Sequence, residues 1–206
     1  SEKLAGGDSL EEVPLPGVDV LHDTLGDAAP QVFVLLGNDD DRASERAFIE
    51  GDEAGRWSYA HERWGSLDSR SVFGYAYVPP TPFLLKDWER YDVSRFTDAG
   101  CVSPERGQRT VPVDPDEIRF GTIAADLVQL TEDRDLEHAV GLFHSPPYRT
   151  DLDRAALDGR TVDHAPLDVH VGSIAIQRFI EDRQPLLTLH GHIHESPRLT
   201  GNWRQK

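Results

Sequence analysis

The segment "PLLTLHGHIHES" (residues 185–196) sets His190, His192 and His194 two residues apart at the end of an apolar run. Imidazole is the commonest metal ligand among side chains. Successive side chains of an extended chain alternate faces, so residues two apart share one. If the extension continues through residue 194, all three imidazoles point the same way, and Gly191 lets the backbone come close to whatever lies there. A cluster of polar histidines near a loop is the competing reading; it suits one histidine better than an H-x-H at a strand end. Further ligand-type side chains follow other apolar runs: Asp8 in "AGGD", Asn38 with Asp39 and Asp40 in "GNDD", and His144 in "LFHSPP". Carboxylate, amide oxygen and imidazole together suit Mn, Fe or Zn. Cys101 is the only cysteine, which excludes a Cys-type structural zinc site.

Three apolar runs must position these groups. "QVFVLLGNDD", "HAVGLFHSPP" and "PLLTLHGHIH" each read as a nearly continuous apolar strand, the kind covered on both faces of a sheet. Helices are predicted between them. "TIAADLVQL" puts Ile123, Leu127 and Leu130 on one face behind an N-cap at Thr122. "GSIAIQRFIED" pairs Ala175 with Phe179 and Ile176 with Ile180 behind an N-cap at Ser173. Each helix leads into a strand, which predicts an α/β fold with right-handed crossovers and a largely parallel sheet. In such sheets ligands bind outside the carboxyl ends of the strands. "SVFGYAYVPPTPF" reads as a strand breaking into a proline turn. Residues 51–68 and 102–116 read as loops, and no repeat or linker divides the chain.

The 206 residues suit one domain with a sizeable core. With 37 acidic and 21 basic residues, a net charge of −16 disfavours nonspecific binding to nucleic acid or anionic membranes. It also opposes an anionic substrate unless bound cations reverse the local field. No run reaches membrane-spanning length and no secretory signal is visible, and a single cysteine fits the cytoplasm. The chain holds no methionine. That is expected of an internal piece of a longer coding sequence or of a processed product; loss of an initiator alone is the milder alternative.

The ordered set of motifs resembles the calcineurin-like metallophosphoesterases. "GGDSLE" is similar to that family's G-D-x-x-D block with Glu11 in the last position. "GNDD" resembles its G-N-H-[DE] block with Asp39 in place of His, "FHSPPY" its lone His, and "GHIHES" its G-H-x-H. Order and spacing agree from Gly7 to Ser196, and "GYAYVPPTPF" and "PPYRTDLD" resemble a prokaryotic branch in which "GNDD" is usual. The resemblance implies an α/β/β/α sandwich over residues 1–206, incomplete at both ends. It implies hydrolysis of a phosphomonoester or phosphodiester by metal-activated water at a two-ion site. Asp8 would bridge the ions; Asn38, His144 and His192 would complete one, and His194 would serve the other.

The family's first block, D-x-H, has no counterpart upstream of Asp8. One reasonably held ion and a second weak or empty position are therefore expected. Asn38, Asp39 and Asp40 are the catalytic candidates. An Asp39 general acid needs a pKa raised by burial or a like charge; otherwise Asp39 and Asp40 orient ligands or cap the helix near "RASERAF". His190 is expected to orient the ligands rather than ligate. His170 is assigned to solvent or a cap, and His22, His61, His138 and His164 to surface or packing. Tyr75, Tyr77 and Phe83 are assigned to the sheet; Tyr148 and Arg149, within reach of a phosphate in an alternative reading, are assigned to an ordinary loop. Two rival readings stand: a non-catalytic scaffold or gene fragment of the same fold, and an amidohydrolase, in which H-x-H belongs near the start of a barrel.

Overall fold

A computed structural model describes residues 16–205. In chain order it contains α1 (Pro16–Leu25), β1 (Phe33–Val34), α2 (Glu45–Glu53), β2 (Ser58–Tyr59), β3 (Trp64–Leu67) and β4 (Arg70–Tyr75). These are followed by α3 (Pro115–Phe120), α4 (Ile123–Thr131), β5 (Ala139–Phe143), β6 (Thr161–Val162), β7 (Ala165–Pro166), α5 (Ile174–Arg183), β8 (Leu187–His190) and α6 (Ser196–Thr200). The architecture is mixed α/β. Its main sheet runs β3-β4-β5-β8, with β4, β5 and β8 parallel and β3 antiparallel at one edge.

Both helices anticipated from periodicity form where their caps place them. The Thr122 hydroxyl accepts from the Ala125 amide at 3.1 Å, and Ser173 accepts from Ile176 at 3.0 Å. Each satisfies an amide that the first helical turn leaves without a partner. Ile123 and Leu127 of α4 and Ile176 and Phe179 of α5 enter one core. There Phe73, Phe143 and Phe179 meet pairwise at 5.7–6.1 Å between ring centroids. Asp92 reinforces the start of α5, accepting from the amides of Ile174 at 2.8 Å and Ala175 at 3.2 Å and from the Ser173 hydroxyl.

Several expectations are corrected. The run before "GNDD" is strand only over Phe33–Val34, in a two-stranded parallel sheet with β2. Residues 51–68 are no loop: they hold the end of α2, β2 and β3, with His61 bridging Gly74 of β4. Their short strands gave too few apolar alternations to register as a pattern. Residues 102–116 do lack regular structure until α3 begins at Pro115. Among the described residues strand β8 is the last of the sheet and is not covered on both faces, with Leu187 and Leu189 50% and 51% exposed. Tyr75 and Tyr77 are buried as expected, but Phe83 is exposed. Among the described residues, no helix is long and apolar enough to cross a membrane.

Candidate metal centre

The site lies beyond the carboxyl ends of β5 and β8. In their parallel ladder Phe143 pairs with His190, and one step further the Gly191 amide donates to the His144 carbonyl at 3.1 Å. The His144 amide donates in turn to the Tyr75 carbonyl at the end of β4, also at 3.1 Å. His144 is thus tied on both sides by backbone bonds just as its strand ends. Beyond Gly191 the chain stops being extended. His192 adopts a left-handed conformation at φ 68°, unusual for a residue with a Cβ. Pleating therefore sets the direction of His190 alone, and a turn beyond the strand end delivers His192 and His194.

His190 does not ligate. Its Nδ1–H donates to the Ser145 carbonyl at 3.0 Å, and its Nε2 accepts from the Thr188 hydroxyl at 2.9 Å. Its ring stacks on Phe143, and burial holds its pKa down at about 4. A neutral imidazole has one donor and one acceptor, and both are occupied. It props the backbone at Ser145, beside His144.

The third arm is the "GNDD" turn. The Asp40 amide donates to the Gly37 carbonyl at 3.0 Å, while the Asp40 carboxylate accepts from the Gly37 amide at 2.7 Å. Asn38 is 6% exposed, and its amide nitrogen donates to Asp39 Oδ1 at 3.0 Å. That bond turns Asn38 Oδ1 towards His144 Nε2, 3.0 Å away. The His144 and His192 ring centroids lie 5.2 Å apart. Asp39 and Asp40 thus orient the turn. Capping of the following helical segment falls to Asp41, whose carboxylate accepts from the Ser44 amide at 2.8 Å, and not to Asp39 or Asp40.

Asn38, His144 and His192 come together from three separate chain crossings. His194 is exposed at the rim, close enough for its charge to act on both other imidazoles. Asp8 lies outside the described residues. Burial, with His144 and His194 adding repulsion, holds the His192 pKa down at about 3. Burial likewise lowers the His144 pKa; Asp40 and Asp39 oppose that shift. Burial thus disfavours the protonated form of both rings; in neutral His144 the nitrogen facing the Asn38 oxygen carries the proton and donates to it, so a cation bound there would replace that hydrogen bond. Two imidazole nitrogens and an amide oxygen fit one borderline-hard divalent ion. A second ion finds only His194 here, and among the described residues no group of three or more His, Cys, Asp or Glu side chains is placed to hold a metal.

Other residues fall largely as assigned. His22, His138 and His164 are exposed. His61 is core: Nδ1 accepts from the Ala76 amide at 3.1 Å, and the ring meets Trp88 edge-on at 5.0 Å. Burial pushes the Cys101 thiol up to about 11, with Asp98 next, which argues against a nucleophile. His170 is held by a carboxylate, with Nδ1 2.7 Å from Asp153 Oδ1. Asp153, fully buried, was not singled out in the sequence, where "RTDLD" looks like any acidic loop.

No protein-family model matches the chain, and no curated protein matches it. A solved crystal structure aligns at a TM-score of 0.47 and 19% identity, covering 85% of this chain and 56% of the other. The chain thus spans little more than half of that protein's length, and a likeness this slight carries no argument about activity.

Proposed function

We propose that the chain carries the site of a metal-dependent phosphoesterase of the calcineurin-like kind, with the α/β/β/α sandwich as its architecture. The supporting observation is the convergence of Asn38 Oδ1 on His144 Nε2 at 3.0 Å with His192 alongside, from crossings far apart in sequence. Asn38, His144 and His192 would hold one divalent ion of Mn, Fe or Zn, His194 would serve a second, and Asp8 would serve both. Such an ion, when bound, polarises the phosphoryl oxygens and lowers the pKa of a coordinated water. Asp39 fixes which end of the Asn38 amide faces the site, and Asp40 rigidifies the turn that carries it. His192, kept neutral by burial, would accept a cation without first losing a proton, whereas His144 would first give up its hydrogen bond to Asn38. The bound positive charge offsets the −16 balance that would repel a phosphate ester.

A second reading, a non-catalytic scaffold of the same fold, is favoured by the absence of a three-member imidazole–carboxylate group among the described residues. Titration with Mn²⁺ by calorimetry, alongside hydrolysis of bis(p-nitrophenyl) phosphate, separates the two. The phosphoesterase reading expects about one tightly bound equivalent, and an affinity loss in His192→Ala beyond the roughly 10–100-fold that removing an outer partner costs. Absence of both metal binding and hydrolysis in the unmodified chain would leave the scaffold.

A further inference from the structure

The loop that leaves His144 is built more rigidly than a connecting segment requires. Asp153 accepts from the amides of Arg149 at 2.9 Å, Thr150 at 3.0 Å and Gly172 at 3.1 Å, and also holds His170. A buried carboxylate saturated in this way locks the backbone around it. What it locks is an uncommon conformation: Arg149 sits at φ 56°, in the left-handed region that residues with a Cβ rarely adopt. Such outliers persist where the surroundings enforce them, often at ligand clamps. Tyr148 is fixed too, its amide bonded to the Ser173 carbonyl at 3.0 Å and its hydroxyl donating to Asp168 at 2.6 Å. The Arg149 guanidinium lies 5.2 Å from the Tyr148 ring centroid, and no carboxylate of the described residues is within ion-pair distance of it.

Arg149 and His194 line the same groove, of about 1060 Å³, whose lining also includes the apolar Leu187, Leu189, Ile193 and Trp203 and the charged Glu181 and Arg204. A cation with a planar fork of donors, exposed in a chain of net charge −16, thus shares a groove with apolar side chains and with His194 at the rim of the candidate metal centre. Guanidinium groups recognise phosphate oxygens through paired hydrogen bonds.

We propose that Arg149 is a specificity residue that binds an oxyanion of the substrate, with the apolar side chains of the groove receiving its organic group. The substrate class is then a phosphate ester bearing an aromatic or otherwise apolar substituent, not inorganic phosphate or polyphosphate. This rests on the phosphoesterase reading for its chemistry, but the binding is separable from it.

Phenyl phosphate is the probe, titrated into EDTA-treated protein and followed by saturation-transfer NMR, with inorganic phosphate as competitor. The expected result is saturable binding that inorganic phosphate competes for only weakly. Arg149→Ala weakens it about tenfold or more, and Arg149→Lys weakens it less. Arg149→Asn keeps a residue tolerant of the left-handed conformation and drops the charge, so misfolding of the alanine variant cannot hide the answer. Binding that survives both neutral variants unchanged, or no binding by the unmodified chain, overturns the inference. With Mn²⁺ present, hydrolysis of phenyl phosphate whose KM ignores Arg149 sinks this inference and leaves the phosphoesterase standing. Arg149-dependent binding without hydrolysis does the reverse.

Discussion

Replacing Gly37 by alanine tests whether the "GNDD" turn and the His144 ring share one tightly packed place. A Cβ at Gly37 meets His144 Nδ1 at 2.8 Å, with Cε1 and Nε2 closer still. The φ of Gly37 is not left-handed, so the effect is steric and not a matter of backbone strain. The ring has little room to retreat, since His192 lies across from it and Asn38 holds its Nε2. Overpacking costs about 1–3 kcal/mol, and breaking the buried Asn38–His144 bond adds roughly 0.5–1.5 kcal/mol. Stiffening of the unfolded chain returns about 0.4–1 kcal/mol, leaving a net loss of roughly 0.5–4 kcal/mol. Gly191 is the internal control: an added Cβ there meets His144 Nδ1 at 3.5 Å and its carbonyl oxygen at 3.7 Å, ordinary contacts. Gly191→Ala should stay within about 0.5 kcal/mol of the unmodified protein. Urea denaturation gives both stabilities, and Mn²⁺ titration should show weakened binding in Gly37→Ala alone. Equal stability of the two variants would mean that the ring does not sit where its contacts place it.

The remaining predictions concern the groups behind the site. Burial, with Arg42, Arg90 and Arg63 adding repulsion, holds the His61 pKa down at about 3, so the unfolded chain binds a proton that the folded chain refuses between about pH 6.5 and 3. Stability therefore falls as pH drops through that window, by about 1.4 kcal/mol per unit from this group; His61→Phe should flatten the urea-midpoint profile by that amount, and an unchanged slope would contradict a neutral His61. Asp92→Ala strips acceptors from two amides and the Ser173 hydroxyl at the start of α5. It should cost about 1–3 kcal/mol, seen as a lowered urea midpoint with weakened amide-exchange protection in α5; full protection there would show that Asp92 is dispensable.

The helices were legible because their evidence is local. A cap and an i, i+4 apolar stripe lie within one short stretch, so Thr122 and Ser173 announced α4 and α5 without reference to the rest of the chain. Strand β5 was legible for a similar reason, its apolar run being buried on both sides. The two-residue strand β2 was not, and β1 was legible only as part of a longer apolar run, since their extent and pairing depend on a partner some 25 residues away in sequence.

For the site, residue types were written in the sequence and their placing was not. That Asn38, His144, His192 and His194 are ligand-type groups following apolar runs needs no coordinates. Three things were decided only by tertiary contact: that His190 spends both nitrogens on Ser145 and Thr188, that Asp39 turns the Asn38 oxygen towards His144, and that a left-handed His192 replaces the expected extension. Asp153 shows the same division, one acidic letter among many in the chain and a buried anchor for Arg149 in the fold. Hydrogen-bond donors and acceptors belong to the residue, but which of them are consumed depends on neighbours that only folding brings within 3 Å or so.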